Sequence, residues 1–203
     1  MMMMLNLKKL SRVKIPLLIL AFGFLSITAC QSDFTKLVKA EAATGEKYTD
    51  LIFKIKMGQT QKDFYTQCWE LNKKGLISQG PGNQSVLYVI DSTSTFFPSD
   101  NKIDMLFYGV FDDKKNIVGM KMKFSYAAWA PWNEALQSDD LMNQLSSDLL
   151  APYPGNNFID FDTKDEAHPA KVKIDGDRQI HMFILDSRYV ELRIENTLLK
   201  YNL

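Results

Sequence analysis

Two histidines, two cysteines, one acidic cluster and a run of aromatic residues are the side chains in this 203-residue sequence with the means to catalyse, ligate or recognise. His168 sits beside a proline in loop-like sequence, and His181 lies in a strand-like run. A serine hydrolase would need one of them as its base. No serine occupies a Gly-x-Ser-x-Gly elbow, and the His-Glu-x-x-His, Gly-x-x-x-x-Gly-Lys and Gly-x-Gly-x-x-Gly patterns are missing. Both histidines therefore read as surface or structural residues, and no catalytic residue is assigned. The stretch "DFDTKDE" gathers Asp160, Asp162, Asp165 and Glu166. It lacks the sixth-position glycine and twelfth-position glutamate of a calcium loop, and Lys164 falls where a ligand is wanted. It reads as a solvated acidic loop, with no metal and no cofactor expected.

The aromatic residues offer recognition instead. Phe124, Tyr126, Trp129 and Trp132 crowd around Pro131. Such a group either seals a junction within the fold or forms a contact patch, since tryptophan and tyrosine dominate interface hot spots; stacking on sugar rings is a variant of the second reading. Tyr65 and Trp69, one helical turn apart, extend the same candidate surface. Cys68 falls on the apolar stripe with Phe64 and Leu71, which makes it a core thiol rather than a reactive one.

The elements that must position these residues follow from periodicity and punctuation. "LIFKIKMG" (51–58) alternates Phe53, Ile55 and Met57 against Lys54 and Lys56, which predicts a half-buried strand. "GQTQKDFYTQCWELNKKG" predicts a helix with Thr60 as N-cap, Asp63 completing an acid-variant capping box, and Lys73, Lys74 and Gly75 at its end. "GPGNQ" breaks the chain, and "SVLYVID" predicts a well-buried strand. "IDMLFYGVF" and "IVGMKMKF" flank the turn "DDKKN" as a hairpin, with Val118, Met120, Met122 and Phe124 on one face and Lys121 and Lys123 on the other. A second helix, "SDDLMNQLSSDLL", has Ser138 as its cap and Asp139 and Asp140 in its first turn. After "APYPGNN", three strands, "AKVKI", "RQIHMFIL" and "YVELRIE", close the chain through the tight turns "DGD" and "DS". The order predicts an α+β fold, an antiparallel sheet with two helices packed on one face, because short hairpins cannot supply the crossovers of a parallel sheet. The caps Thr60 and Ser138 lie 78 residues apart, and each opens a helix, a Pro/Gly break and a meander. Two tandem halves, 49–127 and 128–203, are therefore an open reading of the globular region 49–203.

The amino-terminal segment carries Lys8, Lys9, Arg12 and Lys14 without an acid, followed by a largely apolar run from Ile15 to Ala29. As a helix that run spans roughly 22 Å against about 30 Å of bilayer hydrocarbon, so residues 1–29 read as an export signal rather than a membrane span. The run stops at "ITAC", which resembles the lipobox of bacterial lipoproteins. The resemblance implies that Cys30 receives a diacylglyceryl group on sulfur, that the Ala29–Cys30 bond is cut, and that the new amine is acylated. Two or more chains give lasting attachment at ~0.8 kcal/mol per buried CH₂, so the lipid bilayer is the first expected partner. Residues 30–48, rich in Lys, Ala, Glu and Thr, would form a lipidated tether reaching about 60 Å if extended or about 27 Å as helix. Gln31 and Ser32 avoid the aspartate that, in the commonest sorting scheme for this lipoprotein class, retains proteins at the inner membrane; the resemblance implies the outer membrane. Cutting before Cys30 leaves 20 basic against 24 acidic residues, a net charge of −4. That balance argues against nucleic acid and supplies no polybasic patch for anionic lipid.

The element "KMGQTQKDF" resembles the small envelope lipoproteins of the outer-membrane assembly factor E (SmpA/OmlA) type, and two such modules in tandem are similar to the beta-lactamase-inhibitor-protein fold. That resemblance implies a non-catalytic protein-binding scaffold. The expectation is an outer-membrane lipoprotein whose body docks an envelope protein through Tyr126, Trp129 and Trp132, extended by Tyr65 and Trp69. Glycan or lipid binding in a groove is the alternative, and a hydrolase a more distant one.

Overall fold

The computed structural model describes residues 33–161 and 169–198. The expected signal segment 1–29, the lipidation site Cys30, and Asp162, Asp165, Glu166 and His168 lie outside the described residues. Among the described residues three α-helices, α1 (Asp33–Thr44), α2 (Gln61–Lys73) and α3 (Ser138–Asp148), accompany eight strands. The strands are β1 (Ser78–Gln79), β2 (Val86–Ile90), β3 (Ile103–Phe111), β4 (Ile117–Tyr126), β5 (Ile159–Phe161), β6 (Ala170–Asp175), β7 (Arg178–Ile184) and β8 (Val190–Asn196). Among the described residues no helix is long and apolar enough to cross a membrane.

All eight strands form one antiparallel sheet in the order β1-β2-β3-β4-β8-β7-β6-β5. Each of α2 and α3 is thus followed by a four-strand meander, and the two meanders meet along β4 and β8. At that seam a Cβ on Gly119 would run into the Ile194 carbonyl, so the close approach of the two strands requires glycine. The outermost strands are only two and three residues long, a form that offers little edge for another chain to pair with.

Alternation dictates which face is buried. Phe107, Met122, Leu192 and Met182 occupy consecutive partner positions across β3, β4, β8 and β7, and all are fully buried. Against this row α2 sets Phe64 and Cys68, and α3 sets Leu141, Met142 and Leu145. The expected α+β class, with an antiparallel sheet and two helices packed on one face, is the observed one.

Helix α2 begins as its sequence prescribes. The Thr60 hydroxyl accepts from the Asp63 N–H at 3.2 Å, and the Asp63 carboxylate accepts from the Thr60 N–H at 3.1 Å and from its hydroxyl at 2.7 Å. These bonds hold the Asp63 carboxyl below its usual range, the hydroxyl bond contributing most. A depressed carboxylate stabilises above its unfolded value and ceases to do so as pH falls through the folded one. Thr60→Ala should cost about 1 kcal/mol, and this cost should shrink in acid; urea titrations of both proteins at neutral and acidic pH will measure it. At the other end Gly75 takes a φ of 69° and the Leu76 N–H reaches back to the Leu71 carbonyl at 3.1 Å.

Four expectations need correction. The segment 51–58 is not a strand: Phe53 and Lys54 adopt φ of 52° and 65°, the Ile55 N–H donates to the Ile52 carbonyl, and the Leu51 N–H to that of Ile55. The reversal lets Leu51, Ile52 and Ile55 all bury, while the Phe53 ring meets Tyr88 edge-on at 4.9 Å, which offsets two unfavourable backbone conformations. Ser138 is the first residue of α3, not its cap; Gln137 takes the extended cap conformation, and the Ser138 N–H donates to the Ser187 carbonyl. Strand β2 is half-buried rather than well buried, with Val89 facing solvent. Finally, the expected tether 30–48 does not hang free from residue 37 onward, where the folded unit containing the sheet begins.

This segment instead covers a buried ionic clasp. Glu41 of α1 accepts from the Gly176 N–H at 2.9 Å and from the Asn156 amide at 2.8 Å, while the Tyr48 N–H donates to Asp177 at 2.7 Å. Residues 41–48 are thereby pinned on the β6–β7 turn. Beneath them Asp175 accepts from Lys173 Nζ at 2.9 Å, from Arg178 Nη2 at 2.9 Å and from the Asn156 N–H at 2.7 Å. Lys173, Asp175 and Arg178 are 1%, 2% and 2% exposed, so the three charges share an interior site. Desolvation lowers the Lys173 ammonium below its usual range, and Asp175 opposes that shift. The Arg178 guanidinium lies over the rings of Tyr48 and Tyr153 at 4.6 and 5.2 Å. Gly155, at φ +127°, completes the site because any side chain there would overlap the Asp175 carboxylate.

Candidate binding groove

The aromatic residues expected to form one patch are divided by the fold. Tyr126 is buried, and its hydroxyl donates to the Gln144 amide oxygen at 2.8 Å; burial and the nearby Asp140 and Asp148 raise its pKa. Trp129 is half-buried against the core, with its indole N–H directed to the Ser187 carbonyl at 3.1 Å and the Gln137 side chain at 3.3 Å. Both are structural: one fastens β4 to α3 and the other fastens the linker to the β7–β8 turn. Tyr126 and Trp129 therefore serve the fold and not the contact patch expected of them. Trp132 alone of the linker group projects, at 84% exposure.

Tyr65 and Trp69 fare differently. Burying Phe64 and Cys68 on the inner stripe of α2 forces their neighbours outward, and Tyr65 and Trp69 remain 57% and 58% exposed. Between this flank of α2 and strands β1, β2 and β3 runs a groove of about 500 Å³. Its depth is aromatic: Phe64 packs edge-on against Phe111 at 5.7 Å, Tyr65 leans on Phe111 at 6.4 Å, and Phe107 closes the inner end. Tyr108, 39% exposed, alternates with Phe107 and so turns its ring to the opposite face of the sheet, where Lys121 lies over it at 5.9 Å. Asn72 ties α2 to the residue that leads into β1 by donating to the Ile77 carbonyl at 3.0 Å.

The rim is polar but uncharged. Gln79, Asn83 and Gln84 reach it from β1 and the Pro81–Asn83 turn, joined by Ser78 and Ser85. No Asp, Glu, His, Lys or Arg is among the described residues that line the groove. At its edge the Lys73 ammonium is laid over the Trp69 ring at 3.2 Å from the centroid and pairs with Glu70 at 3.6 Å. The Cys68 thiol at the base is pushed up to about 11 by desolvation, which removes the thiolate a nucleophile would need.

Of the acids and histidines that invited metal or hydrolase chemistry, the two that are described, Asp160 and His181, are not in the groove lining. Asp160 is exposed and pairs with Lys171 at 2.7 Å, and His181 stands edge-on to Phe161 at 5.7 Å. Sequence reasoning found the helical wall of the groove through the i, i+4 spacing of Tyr65 and Trp69. It missed the sheet wall, for which Phe107 on the buried side of the hairpin was the available signal. Compared with known proteins, the chain matches no family model, no curated sequence and no solved structure.

Proposed function

We propose that this chain is a lipid-anchored protein of the cell envelope, fixed to the outer membrane through acylated Cys30, whose body binds rather than catalyses and works through the α2 groove. One observation carries the binding site: the exposed pair Tyr65 and Trp69 borders a concave, aromatic-floored groove of about 500 Å³, within the range of about 300–1,000 Å³ usual for small-ligand clefts. Two exposed aromatic rings beside an uncharged rim favour recognition over proton transfer, because the lining offers no group that titrates near neutrality. The anchor rests on the "ITAC" pattern and the charged, then apolar, segment before it. Burial of Tyr126 and Trp129 moves the candidate surface away from the linker, where protein docking was expected, and on to α2.

The test has two parts. Full-length chain made in a lipoprotein-processing bacterium should carry the mass of acylation and sediment with membranes, and Cys30→Ser should release it to the soluble fraction. Hydrogen exchange of the body mixed with sonicated outer-membrane fragments should show new protection in residues 61–73 and 103–111 that Trp69→Ala removes. An unacylated chain in the soluble fraction overturns the anchor; unchanged exchange in those segments overturns the groove.

A further inference from the structure

Resting on the groove as the binding site, we infer that its ligand is a neutral oligosaccharide. The argument is one of chemical complement. A sugar ring presents an apolar C–H face and a rim of hydroxyls that both donate and accept. The groove presents Tyr65 and Trp69 as partly exposed rings, and Gln79, Asn83 and Gln84 as side chains that each offer donors and an acceptor. These three side-chain amides are exposed and make no hydrogen bond among the described residues, so they meet a ligand without first breaking a contact.

Charged ligands are disfavoured by the same lining. A phosphate or carboxylate would find only the Lys73 ammonium, already held over the Trp69 ring at 3.2 Å and paired with Glu70 at 3.6 Å, and a cation would find no carboxylate in the lining, whereas a buried charge without a partner is costly. An acyl chain would leave the amide rim facing hydrocarbon. An extended peptide would bind best by adding a strand to the sheet, yet the edge beside the groove is β1, only two residues long. A sugar chain needs no strand edge, only ring faces and neutral donors and acceptors along an open cleft.

The experiment is titration of the full-length protein in detergent with cellohexaose, maltohexaose and chitohexaose, followed by calorimetry and by tryptophan emission. At least one should saturate with Kd between about 10 μM and 1 mM. Its affinity should be the same at about 0.05 and 0.5 M salt, since no charges meet. Trp69→Ala should weaken binding about tenfold and Tyr65→Ala severalfold, both on a helix surface where neither is needed for folding. Trp132→Ala should bind as the parent does. Failure of all three sugars at millimolar concentration, or binding that survives the Tyr65→Ala, Trp69→Ala double variant, overturns the inference. If the sugars fail while membrane fragments still protect residues 61–73 in a Trp69-dependent manner, the groove reading stands and a peptide ligand replaces the sugar. If neither has any effect, the groove reading falls too.

Discussion

Asp175→Asn should cost about 3–5 kcal/mol of stability, more than any surface substitution in the protein. The amide keeps the shape of the carboxylate and removes its charge, leaving Lys173 and Arg178 together in a site where both are almost fully excluded from water. Each now bonds a carboxylate oxygen at 2.9 Å, and a buried cation deprived of its partner bears the desolvation cost alone. The loss also spreads along the clasp, because Asp175 holds the Asn156 N–H and Asn156 in turn holds Glu41. For a folded unit of this size the midpoint of thermal unfolding should fall by roughly 6–20 °C, and the urea midpoint should fall with an unchanged slope. The charge argument has its own control. Adding Lys173→Met to the Asp175→Asn variant removes one stranded cation in favour of an apolar chain of similar length, and should recover part of the loss. If the double variant is less stable than the single one, hydrogen-bond geometry rather than charge dominates the site.

The clasp also shows where sequence reasoning ends. Its bonds join Glu41 to Gly176 and Tyr48 to Asp177, partners separated by 135 and 129 positions, and no local pattern carries that information. The segment 31–48 therefore read as a tether, its composition being polar and its partners remote. Helix α2 lies at the other extreme. Its cap, its inner stripe and its terminating glycine are all local devices, and every one is found where the pattern placed it. The 51–58 segment misled because alternation records only which side chains bury. A strand and a tight reversal can bury the same Leu51 and Ile55, and the two left-handed residues, Phe53 and Lys54, are not the glycine or asparagine that would have announced a turn. Strands β1 and β5, two and three residues long, are too short for alternation to repeat. The candidate site divides along the same line. Its helical wall was legible from spacing, while its sheet wall exists only because pairing sets Val86 opposite Phe107 and brings β1 to the flank of α2. The linker aromatics were visible but ambiguous, since a tryptophan that seals a core and one that contacts a partner look alike until burial is known.

Phe107→Ala should separate the floor of the groove from its rim. Phe107 is completely buried in β3, lies opposite Met122, and meets the Phe53 ring at 5.9 Å. Truncation removes most of a ring from a packed interior and should cost about 3–5 kcal/mol, the spread reflecting how far the surroundings collapse. Trp69→Ala, on the exposed flank of α2, should change stability by no more than about 0.5 kcal/mol. The two residues stand on the same groove, so the contrast tests the division of labour within it: a rigid interior that holds α2 at a fixed distance from the sheet, and surface rings free to meet a ligand. Phe107→Leu provides a version that stays folded, at a cost of about 1.5 kcal/mol or less if the core repacks. With its floor lowered but its rim intact, that protein should keep the Trp69-dependent binding while losing stability, measured by urea unfolding beside calorimetric titration. Loss of binding in Phe107→Leu at full folding would show instead that the ligand reaches the floor, and would move the recognition surface from the rings of the helix to the interior of the groove.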